Sequence, residues 1–139
     1  MKRIKSLVLL IAFIMALSCS AAAVELRASY YLSGYLATIS PGDNSGEIIV
    51  SYSVDATGTM SKVGVDKIVL HRTDGLETVT VYGTKSNGLI ETSTFEASGD
   101  YVVTELQSGY SYYAVVTVFA MDSTGSDARA ITTRTVKVP

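Results

Sequence analysis

From residue 47 to 55 apolar and polar side chains alternate. Ile48, Val50, Tyr52 and Val54 share one face of an extended chain, and Glu47, Ser51 and Ser53 share the other. A period of two marks a strand with one buried face. The pattern recurs through Ala114, Val116, Val118 and Ala120 in a strand predicted over residues 112–121. Turn formers punctuate the chain at Pro41-Gly42-Asp43-Asn44-Ser45-Gly46, Asp74-Gly75, Lys85-Ser86-Asn87-Gly88 and Ser123-Thr124-Gly125-Ser126. Between them strands are predicted over residues 30–39, 47–55, 65–73, 77–82, 100–106, 112–121 and 129–138. Residues 57–64 read as a loop whose Met60 and Val63 tuck back onto the core. Residues 89–97 read as a short edge strand with a loop. Asp74-Gly75 predicts a type I′ hairpin, in which both central residues have positive φ. No segment carries a 3.6-residue apolar period over helix length. The expectation is an all-β chain, a two-sheet antiparallel sandwich of about seven strands, with a closed barrel as the alternative.

The first 23 residues have a different pattern. Lys2, Arg3 and Lys5 precede an apolar run from Leu7 to Leu17, and Ser20-Ala21-Ala22-Ala23 supplies small residues for a peptidase. This is the pattern of a cleaved secretory signal peptide over residues 1–23, too short for a membrane-spanning helix. Ala21-x-Ala23 places the cut between Ala23 and Val24. A rival cut precedes Cys19, the chain's one cysteine, because Ala16-Leu17-Ser18-Cys19 loosely resembles a bacterial lipobox. In that case Cys19 is a lipid anchor. The expected location is secreted or extracellular, with a cell-surface lipoprotein as the alternative.

Cutting after Ala23 leaves 116 residues, the size of a single β-sandwich domain over residues 24–139. Such a chain buries enough surface for one core. It then contains no cysteine, which excludes disulfides and cysteine metal sites. Removing the three leader cations leaves eight basic against thirteen acidic residues, a net charge of −5. Phosphate contacts need clustered cations, so nucleic acid is not an expected partner, and the membrane is one only through Cys19. Nine tyrosines and no tryptophan suit half-wet sheet faces.

Two resemblances add to this reading. Leu106-Gln107-Ser108-Gly109-Tyr110-Ser111-Tyr112 resembles the corner before strand F of fibronectin type III domains. The resemblance implies that Leu106 is the core leucine and Gly109 the turn glycine. It makes Tyr112 the corner tyrosine, whose hydroxyl bonds back to backbone. Ser108 stands where the family has proline, and Tyr52 is the nearest aromatic to the family's missing tryptophan. It implies an immunoglobulin or fibronectin type III-like sandwich. Four segments together are similar to a family of small exported, uncharacterised proteins of Gram-positive bacteria. They are Tyr52-Ser53-Val54-Asp55-Ala56-Thr57-Gly58-Thr59-Met60, Val63-Gly64-Val65-Asp66-Lys67-Ile68, Tyr112-Tyr113-Ala114-Val115-Val116-Thr117 and Gly125-Ser126-Asp127-Ala128-Arg129. That likeness implies a single exported β domain and transfers no active site.

Chemical candidates are few. His71, the one histidine, lies beside Arg72 near the Asp74-Gly75 turn, with no G-x-S-x-G nucleophile elbow in the chain. It reads as a sheet-surface residue. Asp43, Asn44 and Glu47 in one turn, and Asp122, Ser123 and Asp127 in another, offer oxygens for calcium but match no dedicated loop. Turns need the same residue types. No catalytic, cofactor-binding or metal-ligating residue is predicted, and no cofactor. Tyrosine carries the binding expectation, because it is large and stiff with a polar tip. Tyr30, Tyr31 and Tyr35 form one candidate cluster, and Tyr110 and Tyr113 the other. The leading expectation is an exported non-enzymatic binding or cell-envelope protein whose partner is a protein or glycan outside the cell. The alternatives are a self-associating surface or matrix protein, with residues 128–138 as the pairing edge, and a small secreted hydrolase or inhibitor.

Overall fold

The computed structural model describes residues 29–139. The expected leader, its expected Ala23/Val24 cut and Cys19 lie outside the described residues. Within them the strands are β1 (Leu32–Pro41), β2 (Ile48–Arg72), β3 (Thr78–Tyr82), β4 (Ile90–Val103), β5 (Ser111–Met121), β6 (Ser126–Thr132) and β7 (Val136–Lys137). The chain is all-β, every pairing is antiparallel, and the strands form one sheet curled into a half-barrel.

The organising element is β2, 25 residues long. Straight, it would run about 80 Å, far beyond a domain of this size. Its first half lies between β1 and β4, with Tyr52 opposite Ala37 and Gly99. Its second half lies between β3 and β5, with Leu70 opposite Val79 and Ala114. Register shifts between Asp55 and Met60 against β4, and between Val65 and Lys67 against β5, mark where the ladder is interrupted. Such irregularities bend a strand and raise its twist.

Residues 57–64, expected as a loop, are therefore strand. Tertiary pairing overrides the local Thr-Gly signal. Lys62, Val63 and Gly64 pair with both β4 and β5, and the Thr57 N–H reaches the Tyr31 carbonyl at 3.0 Å. Gly64 permits the close approach: its φ is +151°, and a Cβ there would lie 2.1 Å from the Leu89 carbonyl oxygen. Met60 and Val63 do pack into the core, as expected.

Two further boundaries differ. Residues 89–97 and 100–106 merge into β4, because the facing length of β2 supplies partners along almost all of it. The last predicted strand splits at Thr133, whose backbone N–H donates to the Ala114 carbonyl while its hydroxyl accepts from the Ala114 N–H, both at 2.9 Å. The Asp74-Gly75 connection is not type I′. Among non-glycine residues Asp74 has no positive φ, whereas Gly75 sits at +76°. The Gly75 N–H donates to the Arg72 carbonyl, and Asp74 Oδ1 accepts from the Leu76 N–H. The five residues between β2 and β3 accommodate that side-chain-capped turn, which a two-residue loop does not.

The core is continuous because β2 feeds both halves of it. Ile48, Val50 and Val54 from its first half, Ile68 and Leu70 from its second, and Ala114, Val116 and Val118 of β5 are all fully buried. Each large aliphatic buried in this way contributes about 1.5–3 kcal/mol. Backbone bonds close one end: the Leu106 N–H donates to the Gly46 carbonyl, and the Gly46 N–H to that of Pro139.

Candidate functional site

Alternation along β2 puts Ser51 and Ser53 on the face opposite the core. Register then sets Thr38 and Asp100 on either side of Ser51, and Leu36 beside Ser53. Two small side chains on the middle strand, flanked by larger ones, leave a trough. Its volume is about 240 Å³, and its lining includes Leu36, Thr38, Ser51, Ser53, Gly99 and Asp100. Ser51 Oγ donates to Asp100 Oδ1 at 2.6 Å. That bond spends the Ser51 proton and leaves its lone pairs, while Asp100 Oδ2 keeps acceptor capacity. Leu36 is 61% exposed, so the trough has one open aliphatic wall. The arrangement presents hydroxyls that both donate and accept, a carboxylate, and a patch of C–H surface.

A second polar group sits where β2 ends. Arg72 is the one buried charged residue among those described. Its Nε donates to Asp74 Oδ1 at 2.8 Å, and one terminal nitrogen reaches Glu77 Oε2 at 3.3 Å and Gln107 Oε1 at 3.2 Å. The guanidinium lies 4.3 Å from the Tyr110 ring centroid. The Arg72 hydrogen bond holds the Asp74 carboxyl below the usual aspartate range, helped by the Leu76 N–H. The same bond raises the Arg72 guanidinium further above its ordinary value. Tyr112, fully buried, donates to Glu77 Oε2 at 2.8 Å and accepts from the Gln107 N–H at 3.2 Å. Burial pushes its phenol pKa up. Leu106 is buried in the core, and Gly109 adopts φ +86°. Each polar side chain of this knot is engaged by another, which suits holding the end of the sheet rather than reacting.

The tyrosine clusters disperse. Tyr30 is 87% exposed, Tyr31 turns its hydroxyl to Thr124 Oγ1 at 3.3 Å, and Tyr35 is partly exposed at β1. No stacked pair joins these three rings. Tyr110 lies under Arg72, and Tyr113 stacks on His71 with ring centroids 5.1 Å apart. His71 is thus a half-buried sheet-face residue, as the sequence reading had it.

In the acidic turns, Glu47 and Asp122 direct carboxylate oxygens to the chain. Glu47 accepts from the Asn44 backbone and side chain. Asp122 Oδ1 accepts from the Thr124 hydroxyl, the Thr124 N–H and the Gly125 N–H, which hold its pKa below the usual range, the hydroxyl most strongly. Asp127 pairs with Arg129. No group of three or more metal-ligating His, Cys, Asp or Glu side chains occurs among the described residues.

Sequence reasoning did not find the trough. Ser51 and Ser53 were assigned to the outward face, but Asp100 is 49 positions from Ser51 and meets it only through register.

No family model matches the chain, and a search of curated proteins returns no match. Among solved structures, 74% of this chain is similar to a β-glucuronidase of Parabacteroides merdae, solved with glycerol in its active site. The identity is 13% and the TM-score 0.34, and the match spans 13% of that protein's length. A likeness of that size carries no argument about fold or activity.

Proposed function

We propose that this protein is an exported, non-enzymatic binding module that docks its partner at the trough between β1, β2 and β4. The observation that carries this reading is the trough itself: convergent polar groups beside an exposed aliphatic wall, on a sheet face supported by a packed core. The leader pattern and the segments similar to small exported Gram-positive proteins favour export. The bonding of Arg72 to Asp74, Glu77 and Gln107, and the stacking of His71 on Tyr113, favour binding over catalysis.

The curled sheet is best read as an immunoglobulin or fibronectin type III-like sandwich whose two layers share β2. Pairing of its first half with β1 and β4, and of its second half with β3 and β5, supports this. So does the Tyr112 hydroxyl bonded back to the Gln107 backbone.

Co-sedimentation with isolated cell envelopes tests the binding reading. Wild type pellets with the envelopes, and Ser53→Tyr, which fills the trough, stays in the supernatant with an unchanged melting temperature. Equal partitioning of the two proteins contradicts the reading.

A second reading, self-association through a sheet edge, has one observation in its favour: β6 pairs with β5 alone among the described strands. Sedimentation that depends on protein concentration supports it.

A further inference from the structure

We infer that the trough takes a neutral saccharide unit, an inference that rests on the binding reading above. Its dimensions suit one ring. Three adjacent strands span about 10 Å, and two residues along a strand about 7 Å. The volume of about 240 Å³ falls just short of the roughly 300–1,000 Å³ of drug-sized clefts. A single pyranose unit of a longer chain fits such an open groove, with its neighbours running out along the strands.

The chemistry of the lining selects among ligands of that size. A sugar hydroxyl both donates and accepts, and so needs partners of both kinds. Ser51, already donating to Asp100, offers lone pairs to a sugar O–H. Thr38 and Ser53 offer hydroxyls that rotate to either role. Asp100 Oδ2 accepts from a second O–H of the same ring, a charge-assisted bond of the stronger kind. The C–H face of the ring meets Leu36, which is otherwise 61% exposed to water.

Charge narrows the class further. The next residues on this face beyond Ser53 are Asp55 on β2, paired with Glu96 on β4. With Asp100 they put three carboxylates on one face. Phosphorylated, sulfated or uronic sugars meet repulsion there. Neutral hexose and N-acetylhexosamine chains do not.

The test is a backbone-amide NMR titration of the full mature domain. The probes are cellohexaose, maltohexaose and chitohexaose, with a hexuronate oligomer and n-butylamine as charged comparisons. The inference predicts shifts at Thr38, Ser51, Ser53 and Asp100 with at least one neutral oligosaccharide, and weaker or no shifts with the uronate. Asp100→Asn keeps the fold and the Ser51 contact, and weakens that binding about tenfold. Two results overturn the inference: silence of the trough toward all three neutral sugars, or equal shifts with butylamine, which would make it a cation site. If envelope binding is lost in Ser53→Tyr while the sugars leave the trough unshifted, the saccharide assignment fails and the binding reading stands. If envelope binding ignores Ser53→Tyr, both fail.

Discussion

Tyr112 and Glu77, 35 positions apart, are joined by a 2.8 Å hydrogen bond from the buried phenol to Oε2 of the carboxylate. The same hydroxyl accepts from the Gln107 N–H, and Glu77 also receives Arg72. One oxygen thus ties the start of β5 to the β2–β3 connection and to the segment before β5.

Removing that oxygen isolates its contribution. Tyr112→Phe keeps the ring in the core and leaves the Gln107 N–H and Glu77 short of a partner. We expect a loss of about 1–3 kcal/mol in urea unfolding. A change under a few tenths of a kcal/mol would mean that water replaces the hydroxyl without cost.

The close approach at the β2 irregularity is testable by adding one methyl group. A Cβ at Gly83 would lie 1.7 Å from the Val65 carbonyl oxygen, and the Gly83 N–H donates to the Asp66 carbonyl at 2.7 Å. Gly83→Ala therefore destabilises by at least about 2 kcal/mol. Gly58, within β2 itself, has no atom within 4 Å of such a Cβ. Gly58→Ala changes stability by less than about 0.5 kcal/mol. Equal effects of the two changes, read by thermal unfolding, would contradict the bend described here.

Stability depends on pH at both limits. The depressed Asp74 and Asp122 carboxyls are stabilised as anions in the fold. Their contribution is complete above the unfolded value near pH 4 and is lost as pH falls through the lower folded values. The raised phenols of Tyr52 and Tyr112, both shifted chiefly by burial, act in the opposite direction. Their contribution is complete below about pH 10 and is lost as pH rises above it. Melting temperatures should hold between these limits and fall outside them. Asp74→Asn should flatten the acid decline, and an unchanged slope in that variant would show that the Arg72 contact is not its source.

The alternation of β2 and β5 was readable because one face of each is dry: Ile48 to Val54 and Ala114 to Ala120 have the period-two signal that a half-buried strand requires. Segment 57–64 was not readable as strand. Thr57-Gly58-Thr59 and Gly64 have the local preferences of a loop, and only pairing with β4 and β5 makes them extended. The turn at Asp74-Gly75 was found, but its type depended on the Asp74 side chain capping Leu76. The trough lay beyond local pattern for the same reason as the strand. Ser51 says which way it points, and nothing near it in sequence says that Asp100 stands beside it.

Export is the premise on which the binding account rests, and it is the most direct thing to measure. The native protein is fractionated from its producing cell and its intact mass is determined. The account predicts a product outside the cytoplasm, either released and beginning at Val24, or membrane-held with diacylglycerol on Cys19. A full-length cytoplasmic product that retains the leader, Lys2 to Ala23, would contradict it.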